Sequence, residues 1–327
     1  MQINVEIQSK DGNIKFLSCR NLKLNKLNII MGPQRSGKTT LLRLLFNAVY
    51  ARLNGLDTTR DLYNMAYNYL TGKLRDGSIT LEICNEGKYD YDKEECGEAM
   101  LKLECTGGEE MSCDVEGKSP FEGVIFIPTE FEALIKYAPL PLSEPYETLR
   151  TYYLNLLRLG VIRLEVKQEK KLGILDEAFK EVIIKRGRII EAVDGAEIDI
   201  SYSSSYVTTL YLLRIILDKV PGNSLILIDN IDSYLHPEAM KKLALMLWKL
   251  AERNIVVVAT HDLIFEETLI HADNYAKKYG VDVHVDFDDI SLTVLKPMGE
   301  CIKKDPRTSV IDTYTDVFRD LYPELYG

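Results

Sequence analysis

The stretch "LNIIMGPQRSGKTTLLRLL", residues 27–45, decides how the rest of the chain reads. An apolar run, Leu27 to Met31, ends abruptly at Gly32. A second glycine, Gly37, is followed by Lys38, Thr39 and Thr40. Leucines then recur at helical spacing. The order is strand, glycine-bearing loop, helix. The spacing fits G-x-x-x-x-G-K-[ST], in which backbone N–H groups curl around phosphate oxygens and the helix N-terminus adds its positive end. The loop residues Gly32, Pro33, Gln34, Arg35, Ser36, Gly37, Lys38, Thr39 and Thr40 are therefore the expected nucleotide contacts. In that motif Lys38 reaches the β- and γ-phosphates and the Thr39 hydroxyl ligates Mg²⁺. ATP and Mg²⁺ are the expected cofactors.

Two further apolar runs share this design. "SLILI", 224–228, ends in Asp229, and "NIVVVAT", 254–260, ends beside His261. Near-continuous apolar strands, each followed by a helix, imply a parallel sheet covered on both faces. Ligands then bind at the carboxyl ends of the strands. Asp229 is the natural second metal ligand beside Thr39. His261 stands where it could contact a γ-phosphate or orient a water. The next position after Asp229 is Asn230, and Asp232 follows.

These residues resemble a family. "KLNIIMGPQRSGKTTLLRLLFNAVYA", "LILIDNIDSYLHPEA" and "VVVATHD" are similar to the corresponding motifs of ABC-type ATPases of the SMC/RecF/OLD-like branch. The resemblance is strong at both ends of the chain and weak between about 50 and 185. It implies an α/β fold: a P-loop NTPase with an ABC-ATPase-like, mostly parallel sheet, an N-terminal antiparallel β subdomain and a helical lobe. It implies one ATPase domain over 1–327, with the lobe inserted at about 130–186. It further implies a head-to-tail, ATP-dependent homodimer with nucleotides sandwiched at the interface. The family's signature segment falls at "SYSSSYVTTLYLL". Ser203, Ser204 and Ser205 precede an apolar helix there and are good helix caps, able to receive a phosphate from across an interface.

The chain departs from the family pattern in several places. The signature lacks its usual glycine. No glutamine follows "GVIFIP"; Thr129 and Glu130 stand there. Gln34 and Arg35 replace an asparagine and a small residue. The largest departure is Asn230, where the family carries the glutamate that polarises the attacking water. An amide can hydrogen-bond water but cannot accept its proton at neutral pH. Hydrolysis is then slow, or Asp232 or Glu130 substitutes as base, or a partner supplies the group. The expected catalytic set is Asn230, Asp232 and His261. The expected function is slow ATP hydrolysis driving a switch, with DNA repair, defence and plasmid maintenance as open settings. The alternative is a hydrolysis-deficient nucleotide-binding scaffold. A transporter subunit is disfavoured by the absence of LSGGQ, and a GTPase by an "NKLN" that lacks the final Asp of NKxD.

Composition sets limits. The chain has 327 residues and a net charge of −10. That balance gives no support to a broad nucleic-acid surface, which wants clustered Lys and Arg. No apolar run is long enough to span a membrane, and the N-terminus has no signal-peptide pattern, so a cytoplasmic protein is expected. A protein partner is expected to use the lobe at 130–186. The six cysteines form no CxxC pair, so zinc is disfavoured. They read as buried or scattered thiols, with disulfides reserved for a hyperthermophilic source.

Overall fold

The structure is a computed structural model. It describes residues 1–9, 15–56, 76–90, 95–108, 112–129, 182–185, 188–193, 195–199, 202, 207, 209, 213, 220–233, 235–296 and 299–307. Its strands and helices run β1 Gln2–Gln8, β2 Lys15–Lys23, β3 Leu27–Met31, α1 Lys38–Leu53, β4 Ser78–Cys84, β5 Tyr89–Asp90, β6 Glu95–Cys96, β7 Ala99–Thr106, β8 Ser112–Gly117 and β9 Gly123–Ile127. They continue β10 Val182–Lys185, β11 Arg188–Val193, β12 Ala196–Asp199, β13 Ser224–Asp229, α2 Pro237–Ala251, β14 Ile255–Ala259, α3 Leu263–Ile270, α4 Asp273–Ala276, β15 Ile290–Leu295 and β16 Cys301–Lys304.

Six strands form the central sheet in the order β16-β15-β3-β14-β13-β9. Every pairing is parallel except β15 with β16 at the edge. The three apolar runs read from the sequence are its three central strands, β3, β14 and β13. Parallel strands buried on both faces need apolar residues at successive positions, and β13 and β3 are buried throughout. Alternate residues feed opposite cores. Ile30, Leu225, Leu227 and Val257 face α1, while Ile29, Ile226, Ile228 and Val258 face the α2–α3 layer.

A second sheet, β2-β1-β4-β7-β8, is antiparallel throughout. Helix α1 lies between the two sheets, touching β9 and β13 on one side and β7 and β8 on the other. This explains why it is buried nearly all round rather than along one stripe. The two sheets thereby share one apolar core, from Ile3 and Leu103 through Phe46 to Leu225.

Several expectations change. Apolar spacing over 263–279 predicts one helix; the structure breaks it at His271 into α3, α4 and a 3-10 turn ended by Gly280 at φ 66°. Alternation over 281–287 predicts a strand; those residues instead lead into a 3-10 turn at Phe287–Asp289, because alternating Asp residues take turn bonds such as Asp286 to the Asp288 amide. The segment read as helical to 186 ends in strand β10, which pairs with β11. Asp194-Gly195 within 188–200 predicts a hairpin, and it is present as β11–β12. The remainder of the 130–186 lobe, including Glu130, lies outside the described residues.

All six cysteines are paired, contrary to the reading as thiols: Cys19–Cys301, Cys84–Cys96 and Cys105–Cys113. The reason is sheet register. Cys105 and Cys113 sit directly opposite each other on β7 and β8, with Cα atoms 4.1 Å apart. Cys19 on β2 meets Cys301 on β16, Cα to Cα 4.9 Å, where the edges of the two sheets touch. No linear spacing rule registers such cross-strand neighbours. No helix among the described residues is long and apolar enough to cross a membrane.

Candidate functional site: a phosphate loop and two strand tips

The loop between β3 and α1 has the geometry its glycines predict. Gly32 has φ 146°, and a Cβ there would meet the Leu295 carbonyl oxygen at 2.4 Å. Gly37 has φ 98° and caps α1 in the left-handed region. No L side chain fits the first position, and few adopt the second. Lys38 opens α1 and is nearly buried. Its ammonium donates to the carbonyls of Gly32 and Pro33, at 2.7 and 2.9 Å. Burial depresses its pKa, against the opposing charge of Asp229. The ammonium is thus held over the loop by two weak acceptors, ready to exchange them for a better anion.

The next residue makes the link between elements. Thr39 Oγ1 donates to Asp229 Oδ2 at 2.7 Å. Asp229 ends β13, two strands from β3, and is 1% exposed. A hydroxyl and a carboxylate converging at one point are hard oxygen donors of the type Mg²⁺ takes, alongside substrate phosphates. Among the described residues no group of three or more His, Cys, Asp or Glu could hold a metal. One carboxylate and one hydroxyl fit Mg²⁺ that would gain its other ligands from phosphate and water. Thr39 and Asp229 would hold the ion, which when bound neutralises phosphate charge.

Asn230 is the hub of the strand tips. Its Nδ2 donates to Asp229 Oδ1 at 3.2 Å and to Thr129 Oγ1 at 3.4 Å. Its Oδ1 lies 3.1 Å from His261 Nδ1. The backbone at Asn230 is left-handed, φ 47°, a conformation asparagine tolerates better than most residues. Thr129, the residue after the β9 tip region, also donates to the Asp229 carbonyl at 3.4 Å. The tips of β9, β13 and β14 are thereby tied through one amide.

Asp232 stands apart. It is 2% exposed, and its Oδ2 accepts from Thr260 Oγ1 at 2.9 Å. Burial pushes its pKa up to about 6, against the lowering effect of that hydrogen bond. Thr260 in turn accepts from the Asp262 amide, and Asp262 caps α3. Asp232 therefore anchors the turn after β14 from below.

An open cavity of about 450 Å³ joins these pieces. Its lining includes Gln34, Arg35, Ser36, Gly37, Lys38, Thr39, Thr40, Asn230 and His261. Asp232 is not on its wall. Pro33 is exposed at the loop and bonds Lys38 through its carbonyl. Ile7, Phe16 and Leu17, from the antiparallel sheet, complete the wall. Sequence reading did not find these three, since nothing in β1 or β2 marks them until the sheets meet. Ser203, Ser204 and Ser205 lie outside the described residues. Nearby Val207, Thr209 and Leu213 are helical and buried, in the segment where a helix was expected. His236 caps α2 through Nδ1, accepting from the Glu238 amide at 3.3 Å, with Pro237 at the first helical position.

Residues 127–265 match the family described as "AAA domain, putative AbiEii toxin, Type IV TA system". No curated protein matches the chain by sequence. Among solved structures, the SMC head bound to the C-winged helix domain of ScpA is 12% identical, with 93% of this chain and 98% of that one covered and a TM-score of 0.49. A Pyrococcus furiosus Smc head with an extended coiled coil, bound to the C-terminal domain of ScpA, is 13% identical over 97% and 98%, TM-score 0.48. The SMC head domain from Thermotoga maritima is 11% identical over 93% and 99%, TM-score 0.45. At such distances the assignment rests on the sheet, the loop geometry and the family match. The matched segment runs from the tip of β9 through Asp229 to His261, the same three strand tips that Asn230 ties together. On those grounds the chain has the fold of a P-loop ATPase, with a phosphate loop and an acidic strand tip on a mostly parallel sheet.

Proposed function

We propose that this protein binds Mg-ATP at the 32–40 loop, hydrolyses it slowly, and acts as an ATP-driven switch by closing on a second copy of itself. The observation that carries the reading is the Thr39–Asp229 hydrogen bond. It supports the reading because it joins the phosphate loop to the acidic strand tip, where a phosphate-bound Mg²⁺ would take its protein ligands. Lys38 and the loop amides bind the phosphates, Thr39 and Asp229 hold the metal, and His261 faces the terminal phosphate. Asn230 orients water but accepts no proton, which lowers the rate by on the order of 10²–10⁴-fold relative to a site with a carboxylate base. Asp232, buried and bonded to Thr260, serves position rather than proton transfer.

The homodimer reading is supported by exposure. Gln34, Arg35 and His261 line the cavity and are exposed, so no described residue shields its rim from water. A second copy supplying its 203–205 segment would close it. The family description, with its toxin–antitoxin reference, agrees with a setting in defence or plasmid maintenance. The test is Mg-ATP turnover and the molecular mass in solution, for wild type and Lys38→Ala. The expected result is slow phosphate release above the variant's level and an ATP-dependent shift from monomer to dimer. Release no greater than that of Lys38→Ala sinks the enzyme reading.

A second reading has its own observation. The Asn230 amide is engaged on both sides, by Asp229 and Thr129 through nitrogen and by His261 through oxygen. A residue so committed suits a nucleotide-binding scaffold that does not turn over. ATP-dependent dimerisation without phosphate release would select it.

A further inference from the structure

Arg35 occupies a backbone conformation that its side chain does not favour. Five described non-glycine residues have positive φ: Asn21, Arg35, Asp76, Asn223 and Asn230. Four are Asn or Asp, the residues whose short polar side chains tolerate the left-handed region. Arg35, at φ 64°, is the exception. Glycine would sit there without strain. Strained positions that persist in a binding loop point to a role for the side chain.

The surroundings indicate what that role is. The chain carries a net charge of −10, yet the charged residues lining the 450 Å³ cavity among those described are Arg35 and Lys38, with no carboxylate on its wall. A cavity of this sign in an acidic protein is built for an anion. Lys38 is buried and turned onto the Gly32 and Pro33 carbonyls. Arg35 is exposed and, among the described residues, makes no hydrogen bond or ion pair that would hold its guanidinium elsewhere. Asn230 and His261, at the tips of β13 and β14, line the same cavity as Arg35. A carboxylate at position 230 would compete for the guanidinium across the cavity. The neutral amide leaves it available.

We propose that Arg35 is a second phosphate-binding cation, reading the terminal phosphate of a nucleoside triphosphate on the side of the cavity shared with Asn230 and His261. Lys38 serves as a point charge deep in the loop. Arg35 adds a planar, two-pronged donor at the rim. Its contribution discriminates triphosphate from diphosphate, so the loop's apex reports the state of the bound nucleotide. This proposal rests on the nucleotide-site reading above.

The test measures equilibrium binding of ADP and of a non-hydrolysable triphosphate analogue, with Mg²⁺, to the full chain. Wild type, Arg35→Gly, Arg35→Lys and Lys38→Ala are compared at constant ionic strength. Arg35→Gly is expected to weaken the triphosphate analogue by roughly tenfold or more while ADP changes by less than about threefold, a loss typical of one charge-assisted contact. Arg35→Lys is expected to restore part of it. The melting temperature of nucleotide-free Arg35→Gly should equal or exceed that of wild type, because glycine relieves the backbone. A role confined to the loop's shape predicts unchanged or tighter binding of both nucleotides by Arg35→Gly. That result, or an equal loss for ADP and the triphosphate, overturns the proposal. If Lys38→Ala loses both nucleotides while Arg35→Gly loses neither, this proposal falls alone. If wild type binds neither nucleotide, the nucleotide-site reading falls and takes this one with it.

Discussion

Asn230 Oδ1 lies 3.1 Å from His261 Nδ1, joining the tip of β13 to the tip of β14. The other end of the same amide fixes the direction of this bond. Nδ2 is directed at the Asp229 carboxylate and at Thr129, both acceptors, so the oxygen faces the imidazole and Nδ1 must carry the proton. In the neutral ring that leaves Nε2 as the acceptor nitrogen. A neutral residue at position 230 thus does two jobs a glutamate could not do together. It donates to the Asp229 carboxylate and orients the His261 ring.

Restoring the acid should speed the chemistry and loosen the tip. Asn230→Glu is expected to raise ATP turnover on the order of 10²-fold, by supplying a proton acceptor to the attacking water. The left-handed backbone at this position should make the same variant about 1 kcal/mol less stable. Asn230→Asp, which tolerates that backbone better, separates the two effects. Steady-state phosphate release and urea unfolding are the measurements. Turnover in Asn230→Glu no faster than wild type would mean that another group already accepts the proton.

Lys38→Met should uncouple stability from nucleotide. Burial disfavours the Lys38 charge, so its folded-state pKa lies below its unfolded value. The sign follows. The folded state pays for the charge below that folded pKa and recovers stability as pH rises through it toward 10.5. At neutral pH an apolar side chain of similar length should leave the nucleotide-free melting temperature unchanged or higher. The stabilisation by Mg-ATP, about 2.7 kcal/mol at a ligand concentration of 100 Kd, should vanish. Differential scanning with and without Mg-ATP reads both quantities.

Glu266 should make the protein weaker as pH rises. It lies on α3 with no exposed surface, and neither carboxyl oxygen has a hydrogen-bond partner. Burial, with a smaller push from Glu267, raises its pKa to about 8. Its protonated form favours folding fully below 4.5, the unfolded value, and that contribution is lost as pH climbs through 8. By pH 7 the loss is on the order of 3 kcal/mol. Glu266→Gln removes the titration without changing shape. Unfolding free energies at pH 5 and pH 8 should differ markedly in wild type and much less in the variant.

The three disulfides should contribute unequally. Cys19–Cys301 closes a loop with a sequence separation of 282, against 12 and 8 for the other two. Loop-closure entropy then favours the fold by about 5–6 kcal/mol for the first and about 2.5–3 kcal/mol for each of the others. The first also joins β2, which carries the cavity residues Phe16 and Leu17, to β16. Cys19→Ala with Cys301→Ala should lower the melting temperature more than either other paired substitution. Equal shifts for the three would rule out loop length as the source.

The sequence determined the site's three ends by itself. Residues 27–45 could be read as strand, loop and helix because a phosphate loop is local: its glycines, lysine and threonine are neighbours in the chain, and their spacing is their geometry. Asp229 and His261 were legible for the same reason, each standing at the end of an apolar run whose continuity marks a buried parallel strand. The tertiary structure decided what lies between such points. The order β3-β14-β13 placed Asp229 against Thr39 across an intervening strand, and the register of β13 with β14 set Asn230 beside His261. It moved Asp232 off the cavity and onto Thr260. It also paired cysteines up to 282 residues apart and brought Phe16 to the cavity at the phosphate loop. Local patterns follow from covalent spacing, and these contacts do not. They arise when sheets choose neighbours and register, which depends on burying every apolar face at once.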